Sequence, residues 1–435
     1  MQRTLLKDIQ INQPTKIAGY VDSIRNKGNM QFVVLRDVSG FIQITLERKT
    51  NPEMAENIDK LTVHSFITVE GKAIDAPYVK NGGREFLPTS LEIDSIAETL
   101  PIASDSSQDL RLDYRWVDLR DEKKVLIFKA WTAFEKYATE WLRNHNFLSI
   151  HTPKITGLSS EGGSEVFYLK EYFGKPACLT QSPQLYKQLS VIGGLDRTYE
   201  IGEYFRANPS FTSRHHCEYT GLDIEMAHID SHEEIMECEE ELLIYVLTNM
   251  KKELGEEFKR LYGREMLDVP NKKFPRIPLK EVYKILKEEK NYQVPRELKG
   301  DLDPEGERLI SQYALEKYGS NFLFVTDFPF KARAFYTKKH EDNPELGKCY
   351  DLFFCGLEIT SGAQREHRYE VLKQQIEENG IDPSSMQQYL DFFRYGAPKH
   401  GGFGLGIGRV LTKLFGFSNV KEADLCFRGP NRLNP

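Results

Sequence analysis

Two arginine-bearing blocks occur in fixed order along this chain. The first runs from Phe205-Arg206-Ala207 to Arg214-His215 and Glu218, and the second is Gly402-Phe403-Gly404-Leu405-Gly406-Ile407-Gly408-Arg409. An arginine on a strand can grip a phosphate where attack occurs. A second arginine, carried by a glycine-lined strand that leads into a helix, can hold further phosphates as a charge-assisted clamp. The chemistry suggested is attack at the α-phosphate of a bent ATP. Neither block has P-loop spacing, and glycines in a strand also mark bulges and close packing. The ordered pair carries the reading, and the glycines alone do not.

Positioning such a clamp needs a large fold, and 435 residues with 40% hydrophobic and 28% charged content suffice for two or three domains with a sizeable core. The net charge of −7 argues against a generic nucleic-acid binder, although an acidic enzyme can still offer a local basic track. The six cysteines are scattered without Cys-x-x-Cys or a histidine spacing that suits structural zinc, and they read as reduced thiols. The first residues lack an apolar signal region and no apolar run is long enough to span a membrane, so a cytoplasmic protein is expected.

From about 15 to 95, short β-type runs separated by Asn26-Lys27-Gly28, Ser39-Gly40 and Asn81-Gly82-Gly83 suggest a small closed barrel of OB type. The stretch 99–124, rich in Ser, Asp and Arg, reads as a hinge between this domain (1–98) and a larger one (125–435). Ile127, Trp131, Phe134, Ala138, Trp141 and Leu142 recur at helical spacing and predict a long amphipathic helix. A strand with Pro153 follows. Antiparallel strands are expected around 167–180, 198–207, 220–226, 349–360 and 401–405, with helical insertions at 251–320. Asp303-Pro304-Glu305 opens one of these helices with a capping residue and a proline at its first position.

The stretches EGGSEVF, QSPQLYKQ, FRANPSFTSRHHCEYTGLDIEM, YDLFFCGLEITSGAQREH and HGGFGLGIGRV resemble the aspartyl-tRNA synthetases of archaeal and eukaryotic type, within the class II aminoacyl-tRNA synthetases. The resemblance spans nearly the whole chain. It implies an α+β protein: an N-terminal OB-fold that binds the anticodon, then a catalytic domain of antiparallel sheet flanked by helices. It further implies a homodimer formed through the segment around Pro153, with ATP, Mg²⁺, L-aspartate and tRNA as cofactors and partners.

By the same resemblance, Arg206 meets the α-phosphate and Arg409 the γ-phosphate, Arg214 and His215 approach the phosphates, and Tyr219 stacks on adenine. Asp351, Glu358 and Ser361 match the metal ligands, and hard carboxylate oxygens suit Mg²⁺. A spacing of seven puts two residues on opposite faces of a regular strand, so a bulge or bend is required between Asp351 and Glu358. Lys187 and Arg365 face the acidic side chain of the amino acid, Gln184 and Gln181 position it, Asp223 holds Lys187, and His400 closes over the substrate. Glu161, beside Gly162 and Gly163, matches a mobile-loop carboxylate for the α-ammonium group. In the barrel, Phe32, Gln43 and Glu85 fall where the anticodon is read, by stacking and by hydrogen bonds to base edges.

Three acidic positions of the family pattern are absent. Asn208 replaces the Glu of Arg-Ala-Glu, Gly408 replaces an acid before Arg409, and Phe427 and Gly429 replace Pro and Asp near the C-terminus. One lost carboxylate costs ~1–3 kcal/mol if its partner stays buried and unpaired. Asp22 stands where some relatives that discriminate between tRNAs have a tryptophan, which leans towards charging both tRNA(Asp) and tRNA(Asn). Two alternatives stay open: a paralogue that adenylates aspartate or asparagine for a non-tRNA acceptor, and a weakly catalytic RNA-binding homologue.

Overall fold

Alternation of apolar and polar residues builds the first of two compact units, Met1–Val125 and Leu126–Pro435. The computed structural model describes residues 2–434 except Asn81, 158–164, Ser210, Phe211, 270–272 and Lys299, with Arg296 described by its backbone alone. In the first unit, β1 (Pro14–Lys27), β2 (Met30–Asp37), β3 (Gly40–Glu47), β4 (Phe66–Asp75) and β5 (Arg84–Ser95) close a barrel in the order β1-β2-β3-β5-β4. Side chains two apart share a face, so Val33 and Leu35, Ile42 and Ile44, and Ile67 and Val69 all point into one core around Phe86. The barrel closes where β3 runs parallel to β5, with Gln43 opposite Glu85.

The segment expected as a hinge is not an extended linker. It contains helices Gln108–Asp113 and Arg115–Asp118, the first capped by the Ser107 side chain. A buried Arg115–Asp118 ion pair locks the second.

The second unit is built on an eight-stranded sheet. Its strands are β6 (Leu148–Ser149), β10 (Arg197–Phe205), β11 (Glu218–Ala227), β12 (Arg276–Pro278), β13 (Phe322–Thr326), β14 (Cys349–Phe354), β15 (Leu357–Gln364) and β16 (His400–Gly406). A three-stranded sheet is formed by β7 (Ile155–Thr156), β8 (Tyr168–Leu169) and β9 (Ala177–Leu179). The order β12-β13-β14-β15-β16-β11-β10-β6 is antiparallel through its centre, and both edge pairs are parallel. The segment around Pro153 is therefore mostly irregular. Only Leu148 and Ser149 pair with β10, after which Glu200 takes over, accepting from the Thr152 backbone N–H (2.8 Å), the Thr152 hydroxyl (2.6 Å) and Lys154 Nζ (3.0 Å).

The helix Glu122–Asn144 buries Ile127, Phe134, Ala138 and Leu142 completely, as its spacing requires. A second long helix, His232–Tyr262, begins at Ser231 with a reciprocal capping box to Glu234. The region 251–320 is thus only partly insertion. Its first residues continue this helix, and β12 joins the main sheet. Asp303 does cap Pro304–Tyr318, accepting from Gly306 N–H at 3.1 Å.

Candidate active site

A cavity of about 1140 Å³ opens in the second unit over the face shared by β11, β15 and β16. Its floor explains the glycines of β16. A Cβ on Gly402 would fall 1.9 Å from Ile224 O, and one on Gly404 would fall 3.0 Å from Asp223 Oδ1. Bare backbone lets β16 lie against β11 while carboxylates of β11 rise beside it. Asp223 and Glu225, two apart on one strand, share a face, and each meets a cation.

Lys187, on the helix Gln184–Ser190, donates to Asp223 Oδ1 (2.9 Å), Phe403 O (3.0 Å) and Ile224 O (3.3 Å), and lies 3.5 Å from Glu225 Oε2. Arg365 donates from Nε and Nη2 to the two Glu225 oxygens (3.0 and 3.2 Å) and from Nη2 to Gly402 O (2.9 Å). These contacts do not use its Nη1. Burial pushes the Asp223 carboxyl up from its ordinary range, with Lys187 opposing. Burial acts likewise on Glu225, but Arg365 and Lys187 outweigh it and hold that carboxyl below the ordinary range. Two buried cations and two buried carboxylates thus form a neutral quartet under the cavity.

Gln184 and Ser361 also line the cavity. Gln184 donates to Gln188 Oε1 at 3.0 Å. Gln181 is buried and is not among the lining residues, and neither is His400. His400 was expected over the substrate but lies completely buried. Its Nδ1 bonds Pro398 O (2.8 Å) and its Nε2 meets Gln188 Nε2 (3.0 Å), an arrangement that requires the neutral ring with Nδ1 protonated. Burial lowers its pKa to the same end. Glu161, with Gly162 and Gly163, lies outside the described residues.

Arg206, Arg214 and Arg409 line the same cavity. Arg206 follows β10 directly, and its guanidinium carbon lies 5.6 Å from the Tyr219 ring centre. Arg409, at the start of the helix Ile407–Phe415, donates to Glu358 O (2.9 Å) and to Arg214 O (3.4 Å). Arg214 is held by Glu307, from the helix Pro304–Tyr318, at 2.7 and 2.6 Å. Burial raises the Glu307 carboxyl to about 7 despite this arginine. His215 bonds Thr212, and burial, Arg409 and Arg214 together lower it to about 4, so it is neutral at physiological pH.

Asp351 and Glu358 are on two strands of one hairpin, not on one strand-like segment. The turn at Cys355-Gly356 has both residues at positive φ. Asp351 pairs with Ser361, but the register then slips so that Phe353 pairs with Glu358. The slip leaves Ile359 on the far face and brings Glu358 to the face of Asp351 and Ser361. Asp351 itself is not in the cavity lining; Arg333 grips it at 3.1 and 2.6 Å. Burial raises its carboxyl to about 6, Arg333 opposes, and the Glu358 charge adds to the rise. Two carboxylates that repel each other, beside a hydroxyl, form an oxygen-rich set that a hard divalent cation would relieve.

The C-terminal departures from the family pattern form one cluster. A Cβ on Gly429 would fall 2.6 Å from Phe427 Cε1, so a side chain at 429 and the Phe427 ring compete for the same space. A Cβ on Gly408 would meet Trp131 Cζ2 at 3.7 Å, Asp424 Oδ1 at 3.8 Å and His216 Cε1 at 3.9 Å. A carboxylate therefore does stand beside position 408, supplied by Asp424, whose Oδ2 lies 3.0 Å from His216 Nδ1. Asn208 lines the cavity without a charge.

In the barrel, the three predicted residues lie in one connected patch in which Gln43 and Glu85 are buried. Arg25 donates to Gln43 Oε1 (3.2 Å), Gln43 to the Thr45 hydroxyl (3.3 Å), Thr45 to Glu85 Oε2 (2.7 Å), and Tyr78 to Glu85 Oε1 (2.8 Å). Phe32 lies beside it with Arg25 over its ring at 5.9 Å. Arg25, Thr45 and Tyr78 were not singled out in sequence, nor were Glu225, Glu307, Arg333 and Asp424. Asp223-x-Glu225 in a strand was the one readable signal among them, since alternation alone puts both on one face.

Residues 107–427 match the family of class II tRNA synthetases (D, K and N), and residues 15–94 match the OB-fold nucleic acid binding domain. The chain belongs to this synthetase family. Among its relatives, it is 39% identical over 435 residues to the aspartate–tRNA(Asp/Asn) ligase of Aeropyrum pernix, covering 99% of this chain and 97% of that one. It is 40% identical over 427 residues to the aspartate–tRNA(Asp) ligase of Pyrococcus abyssi, covering 97% and 96%. Its fold superposes on the asparaginyl-tRNA synthetase of Pyrococcus horikoshii complexed with asparaginyl-adenylate, with a TM-score of 0.92 and 30% identity over 100% of both chains.

Proposed function

We propose that this chain activates L-aspartate as aspartyl-adenylate and transfers the aspartyl group to tRNA. The observation that carries this reading is that the buried cation pair Lys187 and Arg365 lines one cavity together with Arg206 and Arg409, which would clamp the phosphates. In the first step the aspartate α-carboxylate attacks the α-phosphorus and pyrophosphate leaves. In the second, a hydroxyl of the terminal ribose attacks the acyl carbon and AMP leaves. No protein nucleophile is needed. Orientation and electrostatic stabilisation supply the rate.

Arg206 grips the α-phosphate, Arg409 holds the far phosphates, and Arg214 and His215 flank them. Tyr219 packs on adenine. Glu358, Asp351 and Ser361 would hold Mg²⁺, which neutralises phosphate charge, after Arg333 gives up its grip on Asp351. Lys187 and the Nη1 edge of Arg365 bind the substrate side-chain carboxylate. Asp223 and Glu225 fix those cations, Gln184 and Gln181 shape the pocket, and His400 supports it from beneath through Gln188. Glu161 would meet the α-ammonium group.

Phe32, Gln43 and Glu85, joined by Arg25, Thr45 and Tyr78, read the anticodon. Relatives divide between tRNA(Asp) and tRNA(Asp/Asn) ligases, and Asp22, 3.8 Å from Arg36 on the barrel, favours acceptance of both tRNAs. The protein acts as a homodimer. The exposed Leu148 and Ile155 on either side of Pro153 supply apolar surface for that contact.

Aminoacylation of tRNA(Asp) and tRNA(Asn) transcripts with labelled aspartate tests the reading. Aspartate should be esterified to both. Intact adenylate formation with neither tRNA charged would favour the non-tRNA acceptor.

A further inference from the structure

Outside the quartet and the arginine clamp, His232, Asp327 and His340 bring one ligand atom each to within 4.8 Å of one another. They come from three separate places: the first turn of the helix His232–Tyr262, the residue after β13, and the loop between Thr337 and Lys348. His232 is 94% buried, being 6% exposed, and its Nδ1 has no hydrogen-bond partner. His340 Nε2 is also buried and makes no hydrogen bond, although it lies 2.9 Å from Asp327 Oδ1. That approach lacks the alignment of a donor on an acceptor. Two buried imidazole nitrogens without a hydrogen bond, beside a carboxylate oxygen, are polar atoms that a bound ion would satisfy.

We propose that His232, Asp327 and His340 bind one Zn²⁺ ion, separate from any Mg²⁺ that accompanies ATP. Two imidazoles and one carboxylate suit zinc, which takes three protein ligands and a water in tetrahedral geometry, whereas Mg²⁺ prefers six oxygens. The surroundings are arranged for it. Asp327 stands at φ 58° and its Oδ2 accepts from the Thr326 hydroxyl at 2.8 Å, which leaves Oδ1 turned to the histidines. Lys348 is engaged by Glu341 at 2.7 Å. The spacings, 95 residues and then 13, match no zinc signature in sequence.

The site would fasten the loop that links two parts of the active-site wall. Tyr336 and Thr337 line the cavity at one end of this loop, and Cys349, directly after Lys348, lines it at the other. Zinc would therefore hold that wall to the long helix.

The test uses the full chain, stripped with chelator and titrated with Zn²⁺ against a chromogenic chelator in excess Mg²⁺. His232→Ala and His340→Ala are measured alongside, and Co²⁺ is substituted as a spectroscopic probe. The wild type should bind one equivalent, gain thermal stability on binding, and give a Co²⁺ spectrum without a thiolate charge-transfer band. Each variant should bind more than about 100-fold more weakly, beyond the roughly 10–100-fold cost of losing a group that merely supports a ligand. Should His232→Ala fail to fold, the variant of the half-buried loop residue, His340→Ala, decides. Absence of a stoichiometric wild-type site, a thiolate band, or full affinity in His340→Ala overturns the proposal.

Discussion

Replacing Lys187 by Met removes one of the two cations beneath the proposed amino-acid pocket while keeping its length. Lys187, Arg365, Asp223 and Glu225 sum to zero before substrate binds. The variant would carry one net negative charge there, and a substrate carboxylate would bring a second. Two unit charges ~4 Å apart interact by about 4 kcal/mol at an effective dielectric near 20. Part of this is offset, because Asp223 already sits above its ordinary range through burial and takes up a proton once Lys187 is gone. The net loss for aspartate is therefore ~2–4 kcal/mol, roughly 30- to 1000-fold in kcat/KM. Asparagine, being neutral, escapes most of that loss. The assay is pyrophosphate exchange with each amino acid in wild type and Lys187→Met, with melting curves to establish folding. An aspartate-to-asparagine ratio within about threefold of wild type, in a folded variant, would refute the electrostatic argument.

Gly429→Asp should destabilise the chain by ~1–3 kcal/mol because the new side chain meets Phe427, and Phe427→Pro/Gly429→Asp should recover most of it in a double-mutant cycle read by denaturant unfolding. Glu239 is fully buried on the long helix, accepts from the Tyr350 hydroxyl at 2.8 Å, and is raised by burial to about 8. The folded state thus holds a proton that the unfolded chain releases near 4.5, so this group lowers stability as pH rises from about 4.5 to 8. Glu239→Gln should remove that slope in melting temperature against pH. Glu307→Gln should raise the KM for ATP by loosening Arg214, with little change in the KM for aspartate. Phe32→Ala with Glu85→Ala should weaken tRNA charging by ~10-fold or more, at ~1–3 kcal/mol per lost base stack, while exchange without tRNA stays unchanged.

The elements that position the site were legible wherever period and punctuation agreed. The barrel strands, the helix carrying Ile127 to Leu142 and the Asp303-Pro304 helix start all follow from local pattern. The two short helices within 99–124 were not legible, because Ser and Asp serve as readily to cap the helix behind Ser107 as to mark a linker, and composition does not separate the two uses. Lys187 with Asp223 was reachable from resemblance, and Glu225 from alternation. Arg333, Glu307 and Asp424 were not, because each reaches its partner across a sequence separation of 18 to 208 residues with no local signature. His400 shows the converse: the resemblance implied that it closes over the substrate, yet as the first residue of β16 it lies completely buried against Gln188 and Pro398. The slip at Glu358 was anticipated from odd spacing, but the hairpin turn that accompanies it was not.

Amino-acid-dependent exchange of pyrophosphate into ATP, run with Mg²⁺ across all twenty amino acids without tRNA and repeated with total tRNA, tests the central claim most directly. Exchange driven by aspartate and not by asparagine is the expected result. No exchange with any amino acid under either condition, or exchange driven by asparagine in preference to aspartate, would contradict it.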